Sequence, residues 1–226
     1  MERLWLLGHK IGVTVLLVRG GVISNKTSVT ENIWKGSSQT FPIEWRVCNI
    51  YTEHQARTSK YAQYLLKAIG KENWEIVVNA ASVHDIGKKF VKKEILEKVG
   101  LVSKEDFQEL KKHVEKDFLT QHKVLQQFEE KEILNVILSH HERWDGQGYP
   151  NRLKREEIPL EARIVTLVDS WDAITSPRIY GIAYSFEEAI EEIILNSGEQ
   201  FDPILVKAFL KDIEKLKDIT ARTHKN

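Results

Sequence analysis

The residues best equipped for chemistry lie in the run His140-His141-Glu142-Arg143-Trp144-Asp145-Gly146-Gln147-Gly148-Tyr149-Pro150, where an imidazole pair and two carboxylates lead straight into a glycine-rich turn. Upstream, His84-Asp85-Ile86-Gly87-Lys88 sets another imidazole beside a carboxylate, and His54, His113 and Asp169 are further single candidates. Together they read as a metal cluster. Histidine and aspartate without thiolate suit borderline or harder first-row ions such as iron, manganese or zinc. Adjacent residues on a helix project about 100° apart, so a His-Asp pair converges on one ion only where the backbone bends or the aspartate bridges two ions. Gly87 permits a bend after His84-Asp85, and Gly146 and Gly148 release the chain after His140-His141. Two ions about 3.5 to 4 Å apart can acidify a bridging water and clamp the attacking and leaving oxygens of a phosphate ester. Lys88 could then stabilise the developing negative charge.

From Trp45 onward the pattern that positions these residues is helical almost throughout. Phe107, Leu110, Val114 and Phe118 recur at helical spacing after Ser103, a good N-cap, which sets His113 beside Leu110. Ile133, Val136 and Ile137 point the same way as His140 and His141, and Ala162 and Val165 share a stripe with Asp169. Burying an unpaired carboxylate such as Asp169 costs several kcal/mol at least, so that position demands a cation or a set of donors. Ser185 with Glu188 forms a capping-box pattern, and Asp202-Pro203 places a cap before a proline at the first helical position, so the C-terminal third reads as two more helices. Residues 1–45 differ. Val13-Thr14-Val15-Leu16-Leu17-Val18, followed by Gly20-Gly21 and a Ser/Thr/Asn-rich stretch, predicts a short β-hairpin and linker.

At 226 residues the chain can form one domain with a full core plus a short appendage, here 1–45 ahead of 46–226. Its 33 basic and 33 acidic residues give no overall pull toward a nucleic-acid polymer or an anionic membrane, so an anionic substrate must be held by local charge. The lone Cys48 cannot form an internal disulfide, and the apolar stretch Ile11 to Val18 is too short to span a bilayer and lacks a signal-peptide cleavage site. A cytoplasmic location is expected.

The ordered set over Trp45 to Asp202, with His54, H-D-I-G-K at residues 84 to 88, His113, the complete H-H-E-x-x-D-G-x-G-Y-P run and Asp169 in V-D-S-W-D-A-I-T-S, resembles the HD-GYP family, a branch of the HD-domain metal-dependent phosphohydrolases. The resemblance implies a mainly α fold, an HD-domain helical bundle, and hydrolysis of cyclic di-GMP to the linear dinucleotide pGpG or onward to GMP by a metal-activated bridging hydroxide. By position it implies that His54, His84 and Asp169 hold one ion and that His113, His140 and His141 hold the other, with Asp85 bridging. The ions would be iron or manganese, with zinc, magnesium, nickel or cobalt as alternatives. Lys88 matches the family lysine near the scissile phosphate, and Tyr149 and Arg178 match substrate contacts.

The chain departs from the family pattern in three places. Ile50 stands where some members carry an acidic ligand for a third ion, so two ions are expected. Gly181 replaces one basic contact in Pro177-Arg178-Ile179-Tyr180-Gly181. Only about 45 unrelated residues precede the match, where the family often carries a sensor domain.

Each residue also has a plainer explanation. His113 alone would be a hydrogen-bonded core residue, Lys88 a solvated neighbour of Lys89, and Glu142 and Asp145 loop-stabilising groups. His9, His122 and His224 read as surface residues, and Asp172 as a hydrogen-bonding support for a ligand histidine. Two other functions compete with the leading one. The same site could act on another nucleotide such as cyclic GMP-AMP, or the chain could be a cyclic-dinucleotide-binding signalling module that has lost turnover. A homodimer or a regulatory protein partner stays open.

Overall fold

Four apolar stripes build the molecule, and each carries a candidate metal-binding residue. A computed structural model describes residues 52–96, 98, 103–176 and 184–223. The expected N-terminal hairpin, Arg178, Gly181, His9 and His224 lie outside them. Helix α1 (Thr52–Ala68) buries Thr58, Tyr61 and Leu65, and His54 continues that face one turn back. In α2 (Glu75–Val83) the buried Val77 and Ala81 lead to His84, which follows the last helical residue.

Short elements come next. A 3-10 turn (Ile86–Phe90) precedes α3 (Lys93–Leu96) and α4 (Lys104–Lys111), and a second 3-10 turn (Lys112–Val114) carries His113 before α5 (Lys116–Gln121). The third stripe, Ile133, Val136 and Ile137 of α6 (Lys131–Ser139), points to His140 at its C-cap. The fourth belongs to α7 (Leu160–Thr175), which is buried almost all round, as expected of a central helix. It places Asp169 and Asp172 on neighbouring positions of one face.

The chain closes with α8 (Phe186–Leu195), α9 (Pro203–Phe209) and α10 (Ile213–Thr223). Helix α1 packs on α2 and α7, and α6 packs on both α2 and α7, which brings His54, His84, His140 and Asp169 near one another. Trp171 of α7 anchors the other side of the core, with the rings of Tyr61, Phe186 and Phe209 set edge-on at 6.5, 5.5 and 5.4 Å. Such pairs add roughly 0.5–1.5 kcal/mol each beyond the area they bury.

The mainly α architecture agrees with the sequence reading, and among the described residues no β-strand forms. Both C-terminal capping motifs are present: Ser185 accepts from the Glu188 N–H in a full capping box, and Asp202 accepts from the Ile204 N–H ahead of Pro203.

Three details differ. The apolar period from Phe107 to Phe118 predicts one helix, but the chain breaks at Glu115, whose backbone is extended. Beyond α7 the described residues hold three helices where two were expected. The stripe of α10 is Leu216, Thr220 and Thr223, and the threonines conceal the apolar period because they serve as polar partners. Thr220 accepts from the Trp171 indole at 3.2 Å, and Thr223 pairs with the Tyr61 hydroxyl at 2.9 Å. His122 is no free surface residue, for its ring lies against Phe90 and Phe118 and its Nδ1 bonds the Phe118 carbonyl.

Candidate metal centre

Carbonyls near the end of a helix run short of backbone donors, and here histidine side chains bond them, at Val136 in addition to the His140 N–H. Nδ1 of His84 bonds the Ala81 carbonyl at 2.8 Å, Nδ1 of His113 the Leu110 carbonyl at 2.6 Å, and Nδ1 of His140 the Val136 carbonyl at 2.9 Å. A carbonyl only accepts, so Nδ1 carries the proton and Nε2 presents a lone pair. Each ring is thereby aimed by its own backbone. His54 lies near the start of its helix and is aimed by a side chain instead. Its Nδ1 bonds Asp172 Oδ2 at 2.7 Å, and Arg57 forks onto the same carboxylate at 2.6 and 3.1 Å. The expected support from Asp172 is thus present. Arg57 was missed in the sequence reading, although its place three residues after His54, on the same helix face, was the available signal.

The inward nitrogens and carboxylates form two groups, His54 with His84 and Asp169, and Asp85 with His113, His140 and His141. Within each group the ligand atoms lie within 4.8 Å of one another. In the first, His54 Nε2 stands 3.2 Å from Asp169 Oδ1 and 3.5 Å from His84 Nε2. In the second, His141 Nε2 and His113 Nε2 are 3.1 Å apart, and Asp85 Oδ1 lies 3.4 Å from His113 and 3.5 Å from His140. Asp85 Oδ2 reaches back to His84 at 3.5 Å, so this one carboxylate touches both groups.

The residues fit a metal. Asp85 Oδ1, Asp169 Oδ1 and His140 Nε2 are buried without a hydrogen-bond partner, and they are acceptors facing acceptors, an arrangement a cation satisfies. Donor atoms about 2.1 Å from a shared cation stand roughly 3.0 to 3.4 Å apart, close to the spacings seen here.

Charge and burial divide the histidines. Burial lowers His113, takes His140 to about 4 and pushes His141 well below the usual imidazole range, so these rings are neutral and ligand-competent at neutral pH. His54 goes the other way. Burial opposes its charge, yet hydrogen bonds to Asp169 and Asp172 raise it to about 10, so His54 would serve as a ligand only where a cation displaces the proton from Nε2. Burial would also raise Asp85 and Asp169, but Lys88 and His84 hold Asp85 far down, and His54 with His84 hold Asp169 at about 2. Buried Lys88 donates to Asp85 Oδ2 at 2.5 Å.

The glycine-rich loop covers the second group. The Tyr149 ring stacks on His141 at 4.8 Å, and burial first, then the charges of Asp85 and Asp169, raise its phenol well above the usual value. Glu142 is buried and accepts the N–H groups of Asn151 at 2.7 Å and Leu153 at 3.1 Å. Asp145 holds the Arg143 guanidinium and the Gln147 N–H. The plainer reading of both acidic residues therefore describes their contacts. Gly148 is indispensable for space, since a Cβ there would sit 2.4 Å from the Arg143 nitrogen. Gly87 acts likewise, for its absent side chain admits the His113 carbonyl.

Comparison with known proteins adds three findings. The family described as HD domain matches residues 46–205. The chain is 40% identical over 147 residues to a cyclic di-GMP phosphodiesterase of Thermotoga maritima, covering 63% of this chain and 39% of that one. It is 33% identical to 3'3'-cGAMP-specific phosphodiesterase 2 of Vibrio cholerae, covering 74% of this chain and 32% of that one. The chain thus spans about a third of the length of the curated relatives it matches. Its fold is similar to that of an HDG"Y"P protein from Bdellovibrio bacteriovorus, with a TM-score of 0.57 and 17% identity over 73% of this chain and 52% of that one. No helix among the described residues is long and apolar enough to cross a membrane.

Proposed function

We propose that this chain, which belongs to the HD domain family, hydrolyses a phosphodiester bond of a cyclic dinucleotide, cyclic di-GMP first, to pGpG and/or GMP. Its H-H-E-x-x-D-G-x-G-Y-P run is that of the HD-GYP branch. The observation that carries the proposal is the pair of buried acceptor groups joined through Asp85. An HD domain implies divalent metal. In our reading His54, His84 and Asp169 would hold one ion and His113, His140 and His141 a second, iron or manganese, with Asp85 placed to serve both. Such ions supply Lewis acidity and an acidified water.

The chain's own groups do the rest. Lys88, held in place by its bond to Asp85, donates from Nζ to a non-bridging oxygen of the phosphate under attack, where negative charge grows as the P–O bond to the leaving ribose oxygen breaks. Tyr149 remains a neutral phenol beside His141 and offers its ring to the substrate. Arg178 is assigned a substrate contact from the sequence alone. The catalytic unit is residues 46–226, acting in the cytoplasm, with 1–45 a separate segment.

Three curated relatives are named as specific for 3'3'-cGAMP, which favours a second reading in which the hybrid dinucleotide is the substrate. One experiment separates these readings. Protein purified without oxygen is analysed for its elements, then incubated with a nucleotide panel plus Mn²⁺ or Fe²⁺, and the products are chromatographed. Consumption of cyclic di-GMP supports the first reading, and its survival while cyclic GMP-AMP disappears supports the second. Retention of every nucleotide by metal-loaded protein refutes both.

A further inference from the structure

Beside the glycine-rich loop lies a cleft of about 530 Å³, lined by Gln108, Lys111, Gln147, Tyr149 and Arg152 with a single carboxylate, Glu115. Lys111 ends α4 two residues before His113, and its ammonium rests 4.4 Å from the centre of the Phe107 ring and 4.8 Å from that of Tyr149. Nearby lysines have anions: Lys112 donates to Glu109 at 2.6 Å, and Lys98 donates to Asp106. Lys111 and Arg152 make no ion pair with a described carboxylate.

Arg152 is also placed deliberately. Its backbone is left-handed, with φ of 56°, a conformation that costs a non-glycine residue roughly 1–2 kcal/mol. Buried Glu142 holds it there by accepting the N–H groups on either side, those of Asn151 and Leu153. The chain therefore spends strain and a buried carboxylate to keep two unneutralised cations around an open cleft. Tyr149 forms one wall of that cleft and stacks on His141, so the cleft adjoins the histidine cluster.

We propose that this cleft binds the second phosphodiester of the substrate, the one not under attack. A cyclic dinucleotide carries two ionised phosphates on one small ring. With the first at Lys88, the second needs its own countercharge on a chain whose net charge is zero. A guanidinium and an ammonium side by side are suited to a phosphate, and glutamine amides can bond its remaining oxygens. This inference rests on the cyclic-dinucleotide reading above.

The test compares the specificity constant for cyclic di-GMP with that for bis(p-nitrophenyl) phosphate, which has only one phosphate, in metal-loaded wild type, Lys111→Gln, Arg152→Gln and the double variant. The ratio of the two constants should fall about 10-fold for each cation removed, which is ~1.4 kcal/mol apiece, near the lower end for hydrogen bonds to charged groups. The loss should appear in KM, and Lys111→Arg should restore most of it. An unchanged ratio overturns the subsite, whether both rates persist or both collapse together through misfolding or metal loss. If the wild type fails to cleave cyclic di-GMP, the activity is refuted and equilibrium dialysis with the same dinucleotide decides the cleft. A tenfold weaker affinity in the variants supports it, and equal affinity, or no binding by the wild type, overturns it.

Discussion

Replacing Gly87 by alanine would test whether close backbone packing sets the distance between the two turns that carry the centre. A Cβ at position 87 would lie 2.0 Å from the His113 carbonyl oxygen, 2.8 Å from its carbon and 2.8 Å from Leu119 Cδ2, whereas ordinary contact begins at 3.4 Å. The shortfall is about 1.4 Å, and the nearest atoms are backbone, which cannot swing aside as a side-chain tip does. Gly87 belongs to the turn bearing Lys88 and follows Asp85 by two residues, and the carbonyl it meets is that of His113. The methyl therefore drives Asp85 Oδ1 and His113 Nε2 apart from their present 3.4 Å. Overpacking of this kind costs roughly 1–3 kcal/mol, and a misplacement of about 1 Å costs on the order of 100-fold in rate. A melting curve should show a folded protein whose midpoint drops by roughly 2–4 °C for each kcal/mol lost. Elemental analysis should show depleted metal, and kcat should fall about 100-fold. Gly70→Ala is the control: φ there is 70° and nothing lies within 4 Å, so it carries only local strain of ~1–2 kcal/mol and should keep its metal. Full metal content and wild-type turnover in Gly87→Ala would refute the reasoning, whatever happened to the melting point.

Asp172→Ala strands His54 and Arg57 without their shared carboxylate, and should cost ~3 kcal/mol by denaturant titration and weaken metal binding roughly 10- to 100-fold; unchanged affinity would show that His54 needs no such support. Glu142→Gln removes a charge that serves two backbone donors and should destabilise by about 1–3 kcal/mol, with KM for the dinucleotide rising; a variant with wild-type stability and KM argues against a pinned loop. Asp85→Ala should lose metal and hydrolysis together, and equal activity in mutant and wild type would end the two-ion mechanism. Chelation should lower the melting point because the facing acceptors lose their cation, by about 4 kcal/mol of stability if the ion had been present at 1,000 times its Kd, and Mn²⁺ should restore it; a melt indifferent to chelator would show that the groups hold no ion.

Much of this arrangement was legible because the candidate ligand residues obey the same period as the core. His54 lies on the Thr58, Tyr61 and Leu65 face, His140 extends the Ile133 stripe, and Asp169 follows Ala162 and Val165. What the period could not reveal were interactions across the chain. Helix α10 escaped notice because two of its inward positions are threonines bonded to Tyr61 and Trp171, far away in sequence. The break at Glu115 leaves the apolar spacing intact, so nothing local announces it. Arg57 and Lys111 look like ordinary helix-surface cations until Asp172 and the Tyr149 loop are brought beside them. Gly87 lies in the bend that its sequence position permits, and it also makes room for a neighbouring carbonyl, which only packing can disclose.

The way the imidazoles are steered bears on how such a centre can change. His84, His113 and His140 take their bearing from main-chain oxygens, which persist whatever residues surround them, so those donors tolerate drift nearby. His54 depends on Asp172 and Arg57, two positions that a single nucleotide change can alter. Retuning of metal preference, in nature or in the laboratory, should begin at that corner.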